Sequence, residues 1–382
     1  MTQLRTIMVL LTGILLTNLG RAEESLRPPF TWDTIPLYAH FGHPSGLSDE
    51  QISFLAGHYK FIVFEKNHGR DRYGSTEHGT LIDVARVKQI APDTTVLYYW
   101  NLLLDYPFYK SRKTRLKNDK WFIHRRDGEL DLKQSHLKRY DLSNPDWREW
   151  WVAEAARMVV QGNMDGVFVD ALPQIALKPK ANILKWGTEK YIAIESGIGE
   201  TLKKLKQVLG EDKLVIINGI RSVPDGWQHG GLKYLDHADG VIVEHFDAFK
   251  SKAPAQLEQD IERMSQATKA GKVVIFKAFP GFTWLDKDMM DKSYDELVTL
   301  SRERITFPLA AYLIVAGRWS YFNYTWGYQN THGPFEWYPE YDSALGRPLG
   351  DATKSGPEYR REFEFVSVYL NIETKQASLV WR

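Results

Sequence analysis

Cysteine is absent from the 382 residues of this chain, which excludes a disulfide framework and a lipid-modified cysteine near the N-terminus. Charge imbalance is also absent, since 49 Lys and Arg face 48 Asp and Glu, so the composition gives no reason to expect nucleic acid or a membrane as a partner. No segment has the ligand spacing of a zinc or calcium motif, and neither a metal nor a cofactor is predicted. A chain without disulfides draws its stability from its core, which is typical of one large globular domain.

The first 22 residues have the pattern of an export signal. Arg5 supplies a positive charge, residues 7–19 are largely apolar, and Gly20 and Ala22 are small residues before the expected cleavage point. The apolar run is too short and wrongly flanked for a stable transmembrane anchor, which is the alternative interpretation. We therefore expect export to the bacterial periplasm or exterior without stable membrane insertion; the sequence does not indicate the oligomeric state.

Short apolar runs alternate with amphipathic segments along the rest of the chain. Most runs lack polar alternation, as expected for parallel strands buried on both faces. The predicted strands are residues 35–42, 61–67, 95–101, 165–172, 214–220, 240–246, 273–280 and 319–324. The predicted helices include residues 48–59, 145–161, 188–209, 254–270 and 293–316. This order indicates an α/β fold, a (β/α)8 TIM barrel, although the fifth and sixth strands are joined by a connection with little room for a helix.

Two of the predicted strands repeat one short motif. Residues 165–170 are Asp-Gly-Val-Phe-Val-Asp, and residues 239–244 are Asp-Gly-Val-Ile-Val-Glu. We expect each Asp-Gly pair to form a turn that enters the strand, with Asp170 and Glu244 at equal heights near the strand ends. The repetitive pattern of βα units is an alternative explanation, but it does not account for an ionisable residue ending an apolar strand twice.

Each predicted strand ends in a polar residue at an inward-facing position, when positions are counted with a period of two. Active sites of this fold lie at the C-terminal ends of the strands, and burying a ring of polar groups without a ligand is costly. The ring consists of His40, Glu65, Asn101, Asp170, Asn218, Glu244, Lys277 and Asn323.

Asp170 and Glu244 are the predicted catalytic residues. Glycosidic cleavage uses one carboxylic acid to protonate the leaving oxygen and one carboxylate as a nucleophile or base. We assign Asp170 as the nucleophile and Glu244 as the acid/base. A metal site, or a structural ion pair with Lys277 or Arg221, is the alternative.

Other residues of the predicted mouth are candidates for substrate binding. Arg221 and Asn218 are expected to bind hydroxyls or a carboxylate, and Lys277 is either a substrate clamp or a salt-bridge partner. The remaining candidates are His40, Glu65 and Asn101. His40 and Glu65 would line a subsite, and the alternative for His40 is a supporting role through a hydrogen bond.

Two segments indicate a substrate class. Residues 110–126 carry eight Lys or Arg against one Asp, which predicts either a rim that attracts an anionic glycan or an ordinary solvated loop. Residues 319–341 contain ten aromatic residues, among them Trp326 and Trp337. These would form either a platform that stacks on sugar rings or a lid packed on the barrel.

The pattern changes near the C-terminus. Residues 362–370 alternate with a period of two, and residues 377–381 follow after a polar break, which predicts a β-hairpin. The predicted organisation is a signal peptide at residues 1–22, a catalytic barrel at 23–345, and a hairpin extension at 346–382 packed on the barrel.

The repeated motif, Asn218-Gly219 at the end of the fifth strand, and residues 345–350 with 360–363 resemble hypothetical glycosyl-hydrolase-like barrel families that are distantly related to α-amylases. The resemblance implies a barrel hydrolase with an Asp nucleophile at Asp170 and a Glu acid/base at Glu244. The chain departs from the α-amylase pattern because Phe168 replaces an Arg and the second carboxylate follows one strand later. The resemblance therefore does not imply α-glucan specificity.

The sequence predicts a glycoside hydrolase that cleaves a neutral or anionic polysaccharide or oligosaccharide by a retaining mechanism. One alternative is a non-catalytic glycan-binding protein on a hydrolase scaffold. A second is a metal-dependent barrel hydrolase that uses Asp170, Glu244 and His245.

Overall fold

A computed structural model describes residues 27–176, 178–223 and 226–382 of the chain, so the predicted export signal lies outside the described residues. Eight parallel strands form one sheet in sequence order. The sheet closes where Tyr38 N donates to Phe322 O at 2.9 Å, so the prediction of a TIM barrel is confirmed. The strands are β1 Ala39–Phe41, β2 Phe61–Phe64, β3 Thr95–Asn101, β4 Gly166–Asp170, β5 Leu214–Ile220, β6 Gly240–Val243, β7 Val273–Ala278 and β8 Ser320–Tyr324.

Helices surround the barrel on its outer face. The first of them begins with the predicted capping box between Ser48 and Gln51. The helices are Asp49–His58, Arg70–Tyr73, Thr76–Ile90, Arg112–Arg115, Pro145–Gln161, Pro173–Ala176, Pro179–Trp186, Thr188–Leu209, Pro254–Lys269, Lys287–Met290, Tyr294–Arg304 and Thr306–Val315, with 3-10 turns at Asp119–Trp121, Leu232–His237 and Pro339–Tyr341. Among the described residues between β5 and β6, the turn at Leu232–His237 is the one helical element, because the connection is short.

The core has two layers. Apolar residues between the strands and the helices form the larger one. The smaller layer fills the inside of the barrel, where alternate strand residues point inward. Its members are Tyr38, Phe61, Val63, Leu97, Tyr99, Phe168, Leu214, Ile216, Ile242, Val273, Ile275 and Tyr321. The barrel is therefore solid below its mouth, and a substrate can approach only from the C-terminal ends of the strands.

The aspartates of the repeated motif fasten neighbouring strands together, a role that the sequence did not predict. Asp165 Oδ2 accepts hydrogen bonds from Val96 N at 2.7 Å and from Lys88 Nζ at 2.6 Å. Asp239 repeats this arrangement with Val215 N and Lys206 Nζ, at 2.8 and 2.9 Å. At each expected entry turn, the carboxylate of the aspartate thus links its own strand to the neighbouring strand and to a helix.

The glycines of the motif have a steric role. A Cβ at Gly166 would lie 2.0 Å from Leu214 O, and one at Gly240 would lie 2.3 Å from Val273 O. Only glycine permits the backbones of adjacent strands to approach this closely at the base of the barrel.

The predicted helix at residues 293–316 is two helices, Tyr294–Arg304 and Thr306–Val315. Pro308 lies in the first turn of the second helix, where its missing N–H is tolerated, whereas in a continuous helix its ring would clash with the carbonyl of Arg304. The amphipathic pattern passes through this break unchanged, so periodicity alone did not reveal it.

The C-terminal extension is larger than the predicted hairpin. It is a four-stranded antiparallel sheet of β9 Thr353–Ser355, β10 Glu358–Glu362, β11 Val366–Asn371 and β12 Gln376–Trp381. The run at residues 362–370 is interrupted by a turn in which Phe363 N donates to Val366 O at 2.9 Å.

The sheet is fastened to the barrel through Arg361. Its Nη1 donates to the carbonyl oxygens of Leu313, Ile314 and Ala316, which end the helix Thr306–Val315. These carbonyls have no partner within their own helix, so the guanidinium group satisfies them. The domain boundaries predicted at residues 22 and 345 stay predictions.

Within the described residues, no helix combines the length and the apolar character that crossing a bilayer requires.

Candidate active site

A cleft of about 520 Å³ opens at the C-terminal ends of the barrel strands. Five of the predicted site residues line it: Glu65, Asp170, Asn218, Arg221 and Glu244. The same cleft is also lined by residues from the loops that follow β2 to β8. We refer to it as the central cleft.

Asp170 is the last residue of β4 and is held by three side-chain donors. Tyr99 donates its phenolic hydrogen to Asp170 Oδ2, and Asn101 Nδ2 donates to the same oxygen at 2.9 Å. Asn218 Nδ2 donates to Oδ1 at 2.8 Å. Both carboxylate oxygens are therefore fixed in position before any substrate binds.

The backbone directly after Asp170 is strained. Ala171 has a φ of 80°, in the left-handed region that a residue with a Cβ adopts only at a cost. Leu102 N donates to the carbonyl oxygen of Asp170 at 3.0 Å, which ties β3 to this turn. Strain of this kind is concentrated at functional sites, where the surrounding structure compensates for it.

Glu244 follows β6 directly and is also held by three donors. Tyr328 donates to Glu244 Oε1 at 2.5 Å, and Asn218 Nδ2 donates to Oε2 at 2.8 Å. His245 Nε2 lies 2.9 Å from Oε2. Burial lowers the pKa of His245, and the charge of Glu244 acts against this effect.

The amide of Asn218 bridges the two carboxyl groups. Because Nδ2 lies 2.8 Å from Asp170 Oδ1 and 2.8 Å from Glu244 Oε2, these two oxygens are at most twice that distance, about 5.6 Å, apart. A separation within this bound is compatible with two carboxyl groups that flank a single glycosidic bond.

The two carboxyl groups influence each other's ionisation. Burial, followed by the charge of Glu244, raises the pKa of Asp170. Burial also opposes ionisation of Glu244, but His245 and the hydrogen bonds from His245, Tyr328 and Asn218 outweigh it and lower the pKa of Glu244. Two carboxylates this close do not readily ionise together, so a single proton on the pair resides on Asp170 in preference to Glu244.

Glu65 forms an ion pair on the wall of the central cleft. Its Oε2 lies 2.6 Å from Lys66 Nζ, and its Oε1 lies 3.4 Å from His40 Nε2. Burial opposes the charge of Glu65, yet Lys66 and His40 lower the pKa of Glu65 to about 2. His40 is buried beneath the cleft, and Asn101 lies behind Asp170, so both support other side chains and do not line the cleft.

Lys277 is placed differently from the prediction. Its side chain is fully buried, and Nζ donates to Thr325 O at 2.7 Å and to Thr325 Oγ1 at 2.6 Å. Among the described residues, no carboxylate forms an ion pair with Lys277. This corrects the expectation of a substrate clamp or salt bridge, because Thr325 takes the hydrogen bonds of the ammonium group inside the barrel wall.

Trp326 and Trp337 lie away from the central cleft, which corrects the expectation that they stack on substrate. Trp326 is fully buried beside Phe282 and Tyr294. Trp337 packs against His58, with ring centroids 4.4 Å apart. Both tryptophans contribute to packing around the barrel.

The basic segment at residues 110–126 does not line the central cleft. Arg115 is buried, and together with Arg112 it forms ion pairs with Asp105. Arg125 pairs with Asp127. The expected cationic rim is therefore not formed by this segment, because its arginines satisfy nearby carboxylates.

Three residues that sequence reasoning missed contribute to the site. Tyr99 lies two positions before Asn101 on the inward face of β3, so its contact with Asp170 was detectable from the period of two. Tyr328 lies within the aromatic segment, where nothing distinguishes it from its neighbours. Trp284 follows β7 and lines the cleft, with its ring 5.2 Å from that of Tyr328.

Among the described residues, no three His, Asp or Glu side chains are grouped so that they could hold a metal ion. The metal-dependent alternative therefore has no ligand cluster to support it in this part of the chain.

Comparison with solved structures identifies barrels of the α-amylase type. The maltogenic α-amylase AmyB of Thermotoga neapolitana is 11% identical, with 92% of this chain and 94% of that chain covered at a TM-score of 0.51. The α-amylase of Geobacillus thermoleovorans is 11% identical, with coverages of 89% and 87% and a TM-score of 0.49. At 11% identity, the likeness to AmyB shows the fold alone.

A cycloisomaltooligosaccharide glucanotransferase of Paenibacillus is 18% identical, with a TM-score of 0.47. The match covers 67% of this chain but spans only 40% of the length of that enzyme. None of the curated proteins compared with the chain matches it.

Residues 88–367 match the family described as hypothetical glycosyl hydrolase family 15. The match covers well over half of the chain, including β4, β6 and all the loops between them. The predicted resemblance to amylase-like glycosyl hydrolases and the prediction of a glycoside hydrolase are thereby confirmed at the level of the family. The chain belongs to hypothetical glycosyl hydrolase family 15.

Proposed function

We propose that this protein hydrolyses O-glycosidic bonds of a polysaccharide or oligosaccharide through Asp170 and Glu244, with retention of anomeric configuration. The observation that carries the proposal is the shared donor Asn218, which keeps one oxygen of each carboxyl group within about 5.6 Å of the other. Retaining enzymes use carboxyl groups about 5–5.5 Å apart, whereas inverting enzymes need roughly 6.5–9.5 Å to admit a water molecule. A non-catalytic glycan-binding protein would not require this separation.

In the proposed mechanism Asp170 attacks the anomeric carbon while Glu244 protonates the departing oxygen. Water then hydrolyses the glycosyl–enzyme ester, with Glu244 acting as the base. The bond from the anomeric carbon to Asp170 forms and breaks once per turnover, so Asp170 leaves as a carboxylate.

The pKa shifts of the two carboxyl groups favour the opposite distribution of the proton, because the pKa of Asp170 is raised and that of Glu244 is lowered. The charge of Glu244 is one cause of the raised pKa of Asp170, and it disappears once Glu244 carries the proton. Lys66 and Tyr99 then favour the charged form of Asp170. Transfer of the shared proton to Glu244 therefore prepares Asp170 as the nucleophile.

Trp284, Phe249 and Tyr328 lie on the side of the cleft formed by the loops after β6, β7 and β8. The Trp284 ring contacts both others, with centroids 5.6 Å from Phe249 and 5.2 Å from Tyr328. Aromatic faces of this kind pack against the C–H faces of sugars, so this cluster replaces Trp326 and Trp337 as the proposed stacking surface.

We also propose that the protein is exported. The support is the pattern of residues 1–22, with a basic start, an apolar stretch and small residues before the expected cleavage point.

The test is Asp170→Asn, assayed for release of reducing ends from neutral and anionic polysaccharides that the wild-type protein degrades. Hydrolysis is expected to fall at least about a thousandfold, because the amide cannot attack carbon. Asp93→Asn, at an exposed position, serves as the matched control. Unchanged turnover by a folded Asp170→Asn variant would refute the assignment.

A further inference from the structure

Five consecutive βα loops each contribute one cation to the central cleft. Lys66 follows β2, and Arg221 follows β5; the others are Lys133 after β3, Lys178 after β4 and Lys250 after β6. The acidic residues that line the cleft are Glu65, Asp170 and Glu244. The loops after β7 and β8 contribute Trp284, Leu285 and Tyr328 instead, so one side of the cleft is cationic and the other is apolar.

Charge in this cleft is not balanced. Lys66 is neutralised by Glu65, at 2.6 Å. Asp170 and Glu244 together carry at most two negative charges. The remaining four cations therefore exceed the remaining negative charge.

Arg221 is the most informative of these cations. It is half-buried, its Nε is shielded from solvent, and among the described residues nothing accepts a hydrogen bond from that nitrogen. Asp260 is close enough to influence it, but Asp260 Oδ1 accepts its hydrogen bond from Ser222 N, at 2.9 Å. Burial raises the pKa of Asp260 to about 7, so this carboxyl group compensates Arg221 only in part.

Lys133 is a second cation of the cleft that lacks an acceptor among the described residues. It belongs to a short two-stranded ribbon, Leu132–Lys133 with Leu137–Lys138, in the loop after β3. Lys133 is half-buried, and within the described part of the chain its ammonium group forms neither an ion pair nor a hydrogen bond. Burial lowers the pKa of Lys133, and the charge of Asp170 acts against this effect. A desolvated cation without a partner is destabilising unless a ligand supplies the opposite charge.

We propose that the substrate is an acidic saccharide whose carboxylate or sulfate groups are bound by Arg221 and Lys133. Lys133 lies in the loop after β3 and Arg221 in the loop after β5, and both line the central cleft together with Asp170 and Glu244. Lys178 and Lys250 are exposed at the rim and add to the attraction of a polyanion. This inference rests on the proposed hydrolase function and specifies the substrate class for the same cleft.

Binding is measured by titration calorimetry in a Glu244→Gln background, which prevents turnover. The probes are oligogalacturonates against their methyl esters, and carrageenan oligosaccharides against their desulfated forms. The first pair tests a carboxylate and the second a sulfate. We expect the acidic member of at least one pair to bind tenfold more tightly or better, on the order of one charge-assisted hydrogen bond.

Arg221→Gln and Lys133→Gln are each expected to reduce that preference about tenfold, on the same estimate, while binding of the neutral member changes little. Lys203→Gln, an exposed lysine on the helix Thr188–Leu209, is the matched control and is expected to leave the preference unchanged. The proposal is overturned if no acidic member binds more tightly than its neutral counterpart, or if the preference survives both substitutions.

The two proposals fail in different ways. Hydrolysis of neutral glycans only, lost in Asp170→Asn, would overturn the acidic substrate and leave the hydrolase function standing. Tight binding of an acidic probe that the wild-type protein never cleaves would leave the acidic ligand class standing and overturn the hydrolase function.

Discussion

Asp170 and Glu244 accept hydrogen bonds from the same side-chain nitrogen, Nδ2 of Asn218, at 2.8 Å each. The two carboxyl groups come from β4 and from the end of β6, so the intervening strand β5 supplies the group that sets their distance. The separation is therefore a property of three neighbouring strands and does not depend on a mobile loop.

Asn218→Asp tests this bridge. The substitution keeps the shape of the side chain but replaces a shared donor by a third negative charge, so turnover is expected to fall roughly tenfold to a hundredfold. Steady-state kinetics on any hydrolysed substrate measures the effect. Asn118→Asp is the control, because the segment at residues 110–126 does not line the central cleft. A variant with wild-type kcat would show that Asn218 does not hold the pair.

The roles of the two carboxylates are separable by azide rescue. Asp170→Gly leaves space beside the anomeric carbon, so azide is expected to form a glycosyl azide of inverted configuration in place of the enzyme ester. Glu244→Gly retains the nucleophile, so with an activated leaving group azide is expected to give the retained product. NMR of the products distinguishes the outcomes, and the opposite stereochemistry in the two variants would exchange the assignments of Asp170 and Glu244.

The pH profile of kcat/KM reports on the shared proton. Activity is expected to fall as pH rises through the raised pKa of the pair, because the proton is lost, and to fall again at low pH, where the second carboxyl group becomes protonated. Tyr328→Phe removes a hydrogen bond that lowers the pKa of Glu244, so the acidic limb is expected to move to higher pH. Tyr294→Phe, which loses only a hydrogen bond to Glu336, is expected to leave the profile unchanged.

Glu65 is expected to contribute to stability in a defined pH window. Its pKa is about 2 in the folded protein, below the usual value, so its ion pair with Lys66 stabilises the fold above about pH 4.5. This contribution, at most about 3 kcal/mol, is lost as pH falls towards 2. Urea unfolding at pH 7 and pH 3 should show a smaller decline for Glu65→Gln than for the wild type or the exposed variant Glu303→Gln. Equal declines in all three proteins would contradict the prediction.

Local patterns in the sequence determined which strand positions face inward. A period of two placed Asp170, Asn218 and Glu244 on the inside of the barrel, because alternate residues of a strand must point to opposite faces. Composition and periodicity likewise determined the barrel, since buried parallel strands and amphipathic helices differ in local pattern. The two Asp-Gly motifs were visible in the sequence, although their role as carboxylate bridges was not.

Only the tertiary structure decided how far each inward residue reaches into the cleft and which partner satisfies it. Strands of a barrel are staggered, so residues at equal positions in their strands lie at different heights, and the loops that cover them come from distant parts of the chain. Lys277 therefore meets Thr325 inside the wall, whereas Arg221 reaches the cleft without a hydrogen-bond acceptor at Nε in the described part of the chain. Trp326 is buried while Trp284 lines the cleft, although both are tryptophans in loops that follow strands. Contacts between side chains that are far apart in sequence decide such differences, and no local pattern records them.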